Sequence, residues 1–206
     1  MPLLPRHGAI RLKPALDDRD KGIKLRPPDF GRPPVWLLGS SGYSAQLAAH
    51  LGFPLAFAAH LADENLEAAV ALYRAKFRPS AVLDQPYVIV SSGVMAADDE
   101  GEAQRQSWAY SHAMMRMSQG KSFVVPTPEE AESYPYTDRE QQIIEMWDAK
   151  TMVGTAEQVV EKLNARQKHI NADEMMILNL GHSPAAIHRS TELIADAYGL
   201  PQNISE

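Results

Sequence analysis

Six consecutive residues, Gly39-Ser40-Ser41-Gly42-Tyr43-Ser44, have the composition of an anion cradle. They stand between an apolar run that ends at Gly39 and an alanine-rich stretch, Tyr43 to Leu51, that reads as a short helix. The first N–H groups of a helix lack internal acceptors and lie at the positive end of its dipole, so a phosphate can dock there. Glycines at 39 and 42 let the backbone approach an anion closely, and Ser40, Ser41 and Ser44 add hydroxyls. The pattern is neither a Walker loop nor a G-x-G-x-x-G fingerprint. The same residue types also serve simply to turn the chain and cap a helix, and these six residues alone leave both roles open.

Other chemistry is sparse. Cysteine is absent, which excludes disulfides, thiolate nucleophiles and thiolate metal sites. The histidines (His7, His50, His60, His112, His169, His182 and His188) are scattered, with no His-Glu-x-x-His or paired spacing, so no metal site is expected. Asp98-Asp99-Glu100 reads as negative charge at a helix N-terminus. Met114, Met115 and Met117 read as core filler.

The elements that must position the loop follow a regular order. Four short apolar runs, at residues 35–38, 55–59, 87–90 and 175–178, do not alternate with polar residues. Strands of a parallel sheet buried on both faces read this way. Helical patterns lie between them. Leu66, Ala69, Val70, Tyr73 and Phe77 share one face, and a longer helix spans residues 98–118. Thr155 to Gln158 has capping-box spacing before Val159, Leu163 and Ile170. Ser183-Pro184 opens a last helix with Ile187, Thr191, Ile194 and Tyr198 inward, and Gly199 closes it. Residues 120–137 break the rhythm with Pro126, Pro128 and Pro135 and read as a long insertion, with a helical turn at residues 129–133. Such an insertion serves as a lid or as plain surface loop. A helical pattern over residues 138–150 follows it. The order implies an α/β fold, either a doubly wound sheet or part of a (β/α)8 barrel.

Apolar residues make up 45% and charged residues 22%, ordinary values for a globular protein. No run approaches the ~18 apolar residues of a membrane span. Residues 1–32 carry eight basic and four acidic side chains, so they are +4 within a chain of −6 and leave an acidic body. An acidic body argues against a nucleic-acid partner. The basic leader fits a nucleic-acid arm or a targeting peptide less well than a disordered tail, given its aspartates and prolines. A cytoplasmic location is the expectation.

Residues 34–49, Pro-Val-Trp-Leu-Leu-Gly-Ser-Ser-Gly-Tyr-Ser-Ala-Gln-Leu-Ala-Ala, resemble the flavin-phosphate segment of the bacterial luciferase-like monooxygenases. Further stretches follow in family order: Leu51-Gly52-Phe53-Pro54, Ala56-Phe57-Ala58-Ala59-His60, Gln85-Pro86-Tyr87-Val88, Val153-Gly154-Thr155 and Ala172-Asp173-Glu174. The resemblance covers residues 33–200. It implies a partial (β/α)8 TIM barrel comprising roughly the last four βα units, with the insertion before the last one. The division it implies is a leader at 1–32 and a half-barrel domain at 33–206. A full barrel needs ~250 residues, so the resemblance implies a C-terminal half that exposes two sheet edges and an apolar inner face.

The implied activity is oxygenation of a small organic substrate by O2 and reduced FMN, with the flavin supplied by a separate reductase. Gly39, Ser40, Ser41, Gly42, Tyr43 and Ser44 would bind the FMN phosphate. The serine loop favours FMN over a deazaflavin. Phe57 and His60 would lie near the flavin ring or substrate, which makes His60 the one catalytic candidate; His182 and Asn179, ending the last strand, are weaker ones. The alternative is a non-catalytic flavin-binding or interaction subunit that needs a partner chain. The exposed face implies a homo-oligomer.

Overall fold

The computed structural model describes residues 34–201. The leader and the charge pattern read from it lie outside the described residues. Five strands and seven helices follow in the order β1 (Leu37–Gly39), α1 (Gly42–Leu51), β2 (Leu55–Ala58), α2 (Leu66–Lys76), β3 (Val88–Ala96), α3 (Glu100–Ser118), α4 (Pro128–Ser133), α5 (Asp138–Asp148), β4 (Met152–Gly154), α6 (Ala156–Ile170), β5 (Glu174–Asn179) and α7 (Pro184–Ala197).

All strand pairs are parallel. β3 is central. Its residues Ile89, Val90 and Ser91 pair with both β2 and β5, which therefore flank it on opposite sides. Val94 pairs with both β4 and β5, so β4 shares the β2 side and extends the sheet beyond the end of β2. With β4 set aside, the strands run β1-β2-β3-β5 in chain order. A doubly wound sheet would reverse direction partway; the unidirectional order is that of a (β/α)8 segment.

The sheet is covered by these helices on one face. Val88 and Val90 join the core made with Ala45, Ala48 and Ala49 of α1 and Leu66, Ala69, Val70 and Tyr73 of α2. Val94 and Ala96 join the core made with Val159 and Leu163 of α6 and Ile194 of α7. Residues two apart on a strand share a face, so α1, α2, α6 and α7 lie on the same side. The opposite face carries Leu38, Ala56, Ala58, Ile89, Ser91, Gly93, Met176 and Leu178. Of these, Leu38 is 71% exposed, Met176 52% and Leu178 40%. The expected apolar inner face is therefore present and is exposed at Leu38, Met176 and Leu178, while Ala58, Ser91 and Gly93 on it are buried.

Several sequence expectations need correction. There are five strands, not four. β4 is only three residues long, too short to show a pattern. β3 runs to Ala96 rather than ending at Val90, because Ser91, Ser92 and Gly93 broke the apolar run without breaking the ladder. The helical turn expected at residues 129–133 of the insertion is present as α4. Thr127 and Glu130 form a capping box, Pro128 occupies the first turn, and α4 results. Thr137 and Glu140 do the same for α5. The expected caps at Thr155/Gln158 and Ser183 are in place, and Gly199 has φ +63.

The insertion is docked on α3. Arg105 pairs with Glu102 at 2.9 Å, Glu129 at 2.6 Å and Glu132 at 2.7 Å. These ion pairs are partly exposed and individually weak. The more buried tie is His112, whose Nδ1 lies 2.8 Å from the Tyr136 hydroxyl and whose ring meets Tyr134 edge-on at 4.8 Å.

Tyr73 holds the strand starts together. Its hydroxyl donates to Phe53 O at 2.9 Å and accepts from Tyr87 N–H at 3.1 Å, and the side chain is fully buried. Burial pushes its pKa up to about 12. Tyr73→Phe leaves two buried backbone groups short of a partner and should lower stability by ~2 kcal/mol. Urea denaturation followed by circular dichroism checks this; an unchanged midpoint would show that water replaces the hydroxyl.

Candidate functional site

The loop after β1 is shaped by a helix cap. Ser41 is the N-cap of α1 in extended conformation, and Ser41 and Ser44 form a reciprocal capping box. Ser44 N–H donates to Ser41 Oγ at 3.4 Å, Ser41 N–H to Ser44 Oγ at 3.4 Å, and Ser44 O–H to Ser41 O at 2.9 Å. The Ser44 hydroxyl hydrogen is thereby committed within the loop, and Ser44 is buried. The expectation that Ser44 adds a hydroxyl donor to a ligand does not fit this geometry. Gly39 also has a different purpose from close anion approach. A Cβ there would sit 2.2 Å from Ser44 Oγ, so glycine makes room for the cap itself.

What remains free is backbone. Gly42 and Tyr43 are the first two residues of α1, whose N–H groups have no intrahelical acceptor. A Cβ at Gly42 would meet nothing within 4 Å, so a side chain can be accommodated at that position. The Tyr43 side chain is 76% exposed and Ser40 is half-buried. The loop therefore fits a phosphate through two amides at a helix N-terminus, with Ser40 and Ser41 at its rim.

His60 lies two residues beyond β2, at the same C-terminal end of the sheet. Gly39 pairs with Phe57 across the ladder, so the two sites are on adjacent strands, ~5 Å apart in the pairing direction. The His60 Nδ1 is 2.7 Å from Ser91 Oγ on β3. Ser91 is on the open face, and the imidazole lies over it. Burial lowers the His60 pKa. The loop that carries His60 is tied down at two points. Asp63 pairs with Arg166 of α6, and Glu64 pairs with Lys150 at 2.9 Å. Lys150 also sits over the Trp147 ring, 4.8 Å from its centre.

The other strand-end candidates separate. The His182 N–H and Nδ1 both approach Gln106 Oε1, at 3.2 Å and 2.8 Å, so His182 is held against α3. Asn179 is turned toward α7, where its Nδ2 donates to Thr191 Oγ1 at 3.2 Å. It faces the helices and not the open face. Phe57 also points into the helix-side core, 1% exposed, so its side chain is not available to a ligand on the open face. The period of two along β2 puts Ala56 and Ala58 there instead.

Asp173 is a residue whose role the sequence did not disclose. Its carboxylate accepts from Val88 N–H at 2.7 Å and from Arg74 at 2.8 Å, which joins the start of β3 to α2. Tyr87 O–H donates to Glu174 at 2.5 Å, and this bond raises the Tyr87 pKa to about 12. The Ala172-Asp173-Glu174 motif is thus a clamp at the N-terminal end of the strands, away from the candidate site.

The parallel sheet with its loops at one end has relatives. The chain belongs to the luciferase-like monooxygenase family, whose model matches residues 11–170. The uncharacterized protein YvbT of Bacillus subtilis (strain 168) is 38% identical over 165 residues, 80% of this chain and 49% of that protein. A luciferase-like monooxygenase of Escherichia coli (strain K12) is 37% identical over 163 residues, 78% of this chain and 49% of that protein. The crystal structure of apo-MsnO8 superposes with a TM-score of 0.74 at 30% identity, covering 89% of this chain and 57% of that one. The chain spans about half the length of the curated relatives it matches. Membership makes it part of the flavin-dependent monooxygenase superfamily, and the sheet is a partial (β/α)8 barrel.

Among the described residues, no helix is long and apolar enough to cross a membrane.

His60 and His112 both have pKa values lowered from 6.5, chiefly by burial. Around His112, Arg116 and Lys121 lower it further while Glu140 raises it. A depressed imidazole binds its proton more weakly in the folded than in the unfolded chain. Its contribution is complete above the unfolded value and is lost as pH falls through that value. The denaturation midpoint should therefore fall between about pH 7.5 and about pH 5.5. His112→Gln should flatten part of that fall. An equally steep fall in the variant would assign it to other groups.

Proposed function

We propose that this chain supplies the flavin-phosphate half of a luciferase-like monooxygenase site, with FMN as the flavin and the phosphate held at the N-terminus of α1. The observation that carries this reading is the pair of amides at Gly42 and Tyr43, which open α1 without intrahelical acceptors at the C-terminal end of a parallel β strand. Ligands of (β/α)8 proteins bind at that end. Gly39, Ser41 and Ser44 support the amides by building the cap, and Ser40 and Tyr43 border the approach. Bound reduced flavin would supply the oxygen chemistry, with O2 and a small organic molecule as co-substrates and a separate reductase as the source of electrons. The protein's part is to bind, orient and exclude water. The half-barrel domain is residues 33–206, acting in the cytoplasm.

A second reading is favoured by the open face. Leu38, Met176 and Leu178 are exposed apolar side chains on a sheet whose edge strands among the described residues include β1 and β5. A chain of this kind serves as a flavin-binding or interaction subunit completed by a partner, and self-association into a homo-oligomer is the simplest form. Sedimentation velocity should show a species larger than a monomer for the 206-residue chain. The double variant Leu38→Lys/Met176→Lys should shift it to the monomer. A compact wild-type monomer would count against this reading.

The phosphate test exploits the cap geometry. Ser41 is already extended, as the residue before a proline must be. Proline is well tolerated at the first helical position and lacks the N–H. Gly42→Pro therefore deletes one proposed donor and keeps the helix, while Gly42→Ala retains the donor and controls for bulk. Fluorescence titration should show FMN binding at least ~10-fold tighter than riboflavin, equivalent to ~1.4 kcal/mol. That preference should persist in Gly42→Ala and collapse in Gly42→Pro. Equal affinity for FMN and riboflavin in the wild type would sink the phosphate assignment.

A further inference from the structure

The Ser91 hydroxyl carries one hydrogen but has two neighbours. His60 Nδ1 is at 2.7 Å and the Phe57 carbonyl oxygen at 3.3 Å. A carbonyl oxygen only accepts. Both contacts are hydrogen bonds in one arrangement alone, with the Ser91 hydrogen on Phe57 O and the His60 Nδ1–H donating to Ser91 Oγ. That places the hydrogen of a neutral His60 on Nδ1 and leaves Nε2 with a free lone pair. Neutral imidazole has one donor and one acceptor nitrogen, and the bond at one fixes the role of the other.

The surroundings of Nε2 follow from burial. His60 is half-buried, and its Nε2 is not among the buried polar atoms that lack a partner. Among the described residues no hydrogen bond to Nε2 is formed. Nε2 is therefore without a partner among the described residues, and the half-buried ring is not fully enclosed. Ser91 itself is 8% exposed, so the relay beneath the ring is sealed while the ring's outer edge is not. The Asp63–Arg166 and Glu64–Lys150 pairs hold the loop from the other side. Burial also favours the uncharged ring.

We propose that His60 and Ser91 form a preset hydrogen-bond acceptor site. Ser91 fixes His60 in the Nδ1–H tautomer, and Nε2 receives an N–H or O–H donor of a ligand lying on the open face beside the α1 N-terminus. His60 is the ligand-contacting residue, and Ser91 is a positioning residue that acts through it. The ligand arm rests on the flavin reading above; the tautomer arm does not.

The test uses the full chain and begins without flavin. Long-range 1H–15N correlation of the imidazoles at neutral pH should show His60 protonated at Nδ1 and bare at Nε2. Ser91→Ala should move most of the population to the Nε2–H form, and Ser91→Thr, which keeps the hydroxyl, should restore the wild-type pattern. A wild-type His60 that is an imidazolium or an Nε2–H tautomer overturns the proposal. So does a pattern that Ser91→Ala leaves unchanged in a folded protein.

The second arm measures ligand contact. Diethyl pyrocarbonate modifies bare, accessible imidazole nitrogens, and mass spectrometry locates the adduct. His60 should be modified in the wild type and protected several-fold by saturating FMN. Unchanged modification with FMN demonstrably bound overturns the acceptor role while the flavin reading stands. If fluorescence shows no FMN binding at all, the ligand role of His60 falls together with the flavin reading, and the tautomer result stands by itself.

Discussion

The structure depends on β3, whose positions Val88, Val90, Val94 and Ala96 face the helices. Val88 and Val90 close the core under α1 and α2, while Val94 and Ala96 close the one under α6 and α7. One strand therefore fixes four helices on one side and pairs with three other strands in the sheet plane. Its opposite positions, Ile89, Ser91 and Gly93, are left for the other face. Ser91 on that face is what holds His60. At Gly93 a Cβ would approach Leu180 Cδ1 at 2.8 Å, so the glycine lets the chain after β5 fold over the sheet.

The two ends of the sheet are built for different purposes. At the N-terminal ends of the strands, Tyr73, Asp173 and the Tyr87–Glu174 bond satisfy backbone groups and lock strand starts to α2. At the C-terminal ends, the α1 amides and His60 Nε2 keep hydrogen-bonding capacity unspent. Polar capacity left unspent beside an apolar face is suited to a ligand, since it costs little in contact with water and gains when a partner arrives. The insertion carrying α4 and α5 stands apart from this division. Ring contacts of His112 with Tyr134 and Tyr136 help attach it to α3.

The apolar runs, the amphipathic helices and the caps at Thr155 and Ser183 were legible from residue type and spacing. Each is a local interaction over three or four residues. The same locality explains what was misread. β4 has three residues and owes its existence to β3. The middle of β3, Ser91-Ser92-Gly93, interrupts the apolar run in sequence and is a strand because β5 pairs with it. The two caps in the insertion, Thr127/Glu130 and Thr137/Glu140, open the helices expected at residues 129–133 and 138–150. At the candidate loop the sequence left capping and anion docking both open, and the structure shows the cap. Ser41 and Ser44 serve the cap, and the donors left open are amides that every sequence possesses.

The sequence by itself determined that strands and helices alternate, that the strands are apolar enough for two buried faces, and that a glycine-serine turn stands at the start of a helix. Those properties are local, so composition and spacing suffice. Only the tertiary structure decided which face the helices cover, that Phe57 points into the core while Ser91 meets His60, and that Asn179 turns toward α7. These outcomes depend on strand register, where a shift of one residue reverses every side chain, and on contacts between residues 31 apart, as in the His60–Ser91 pair.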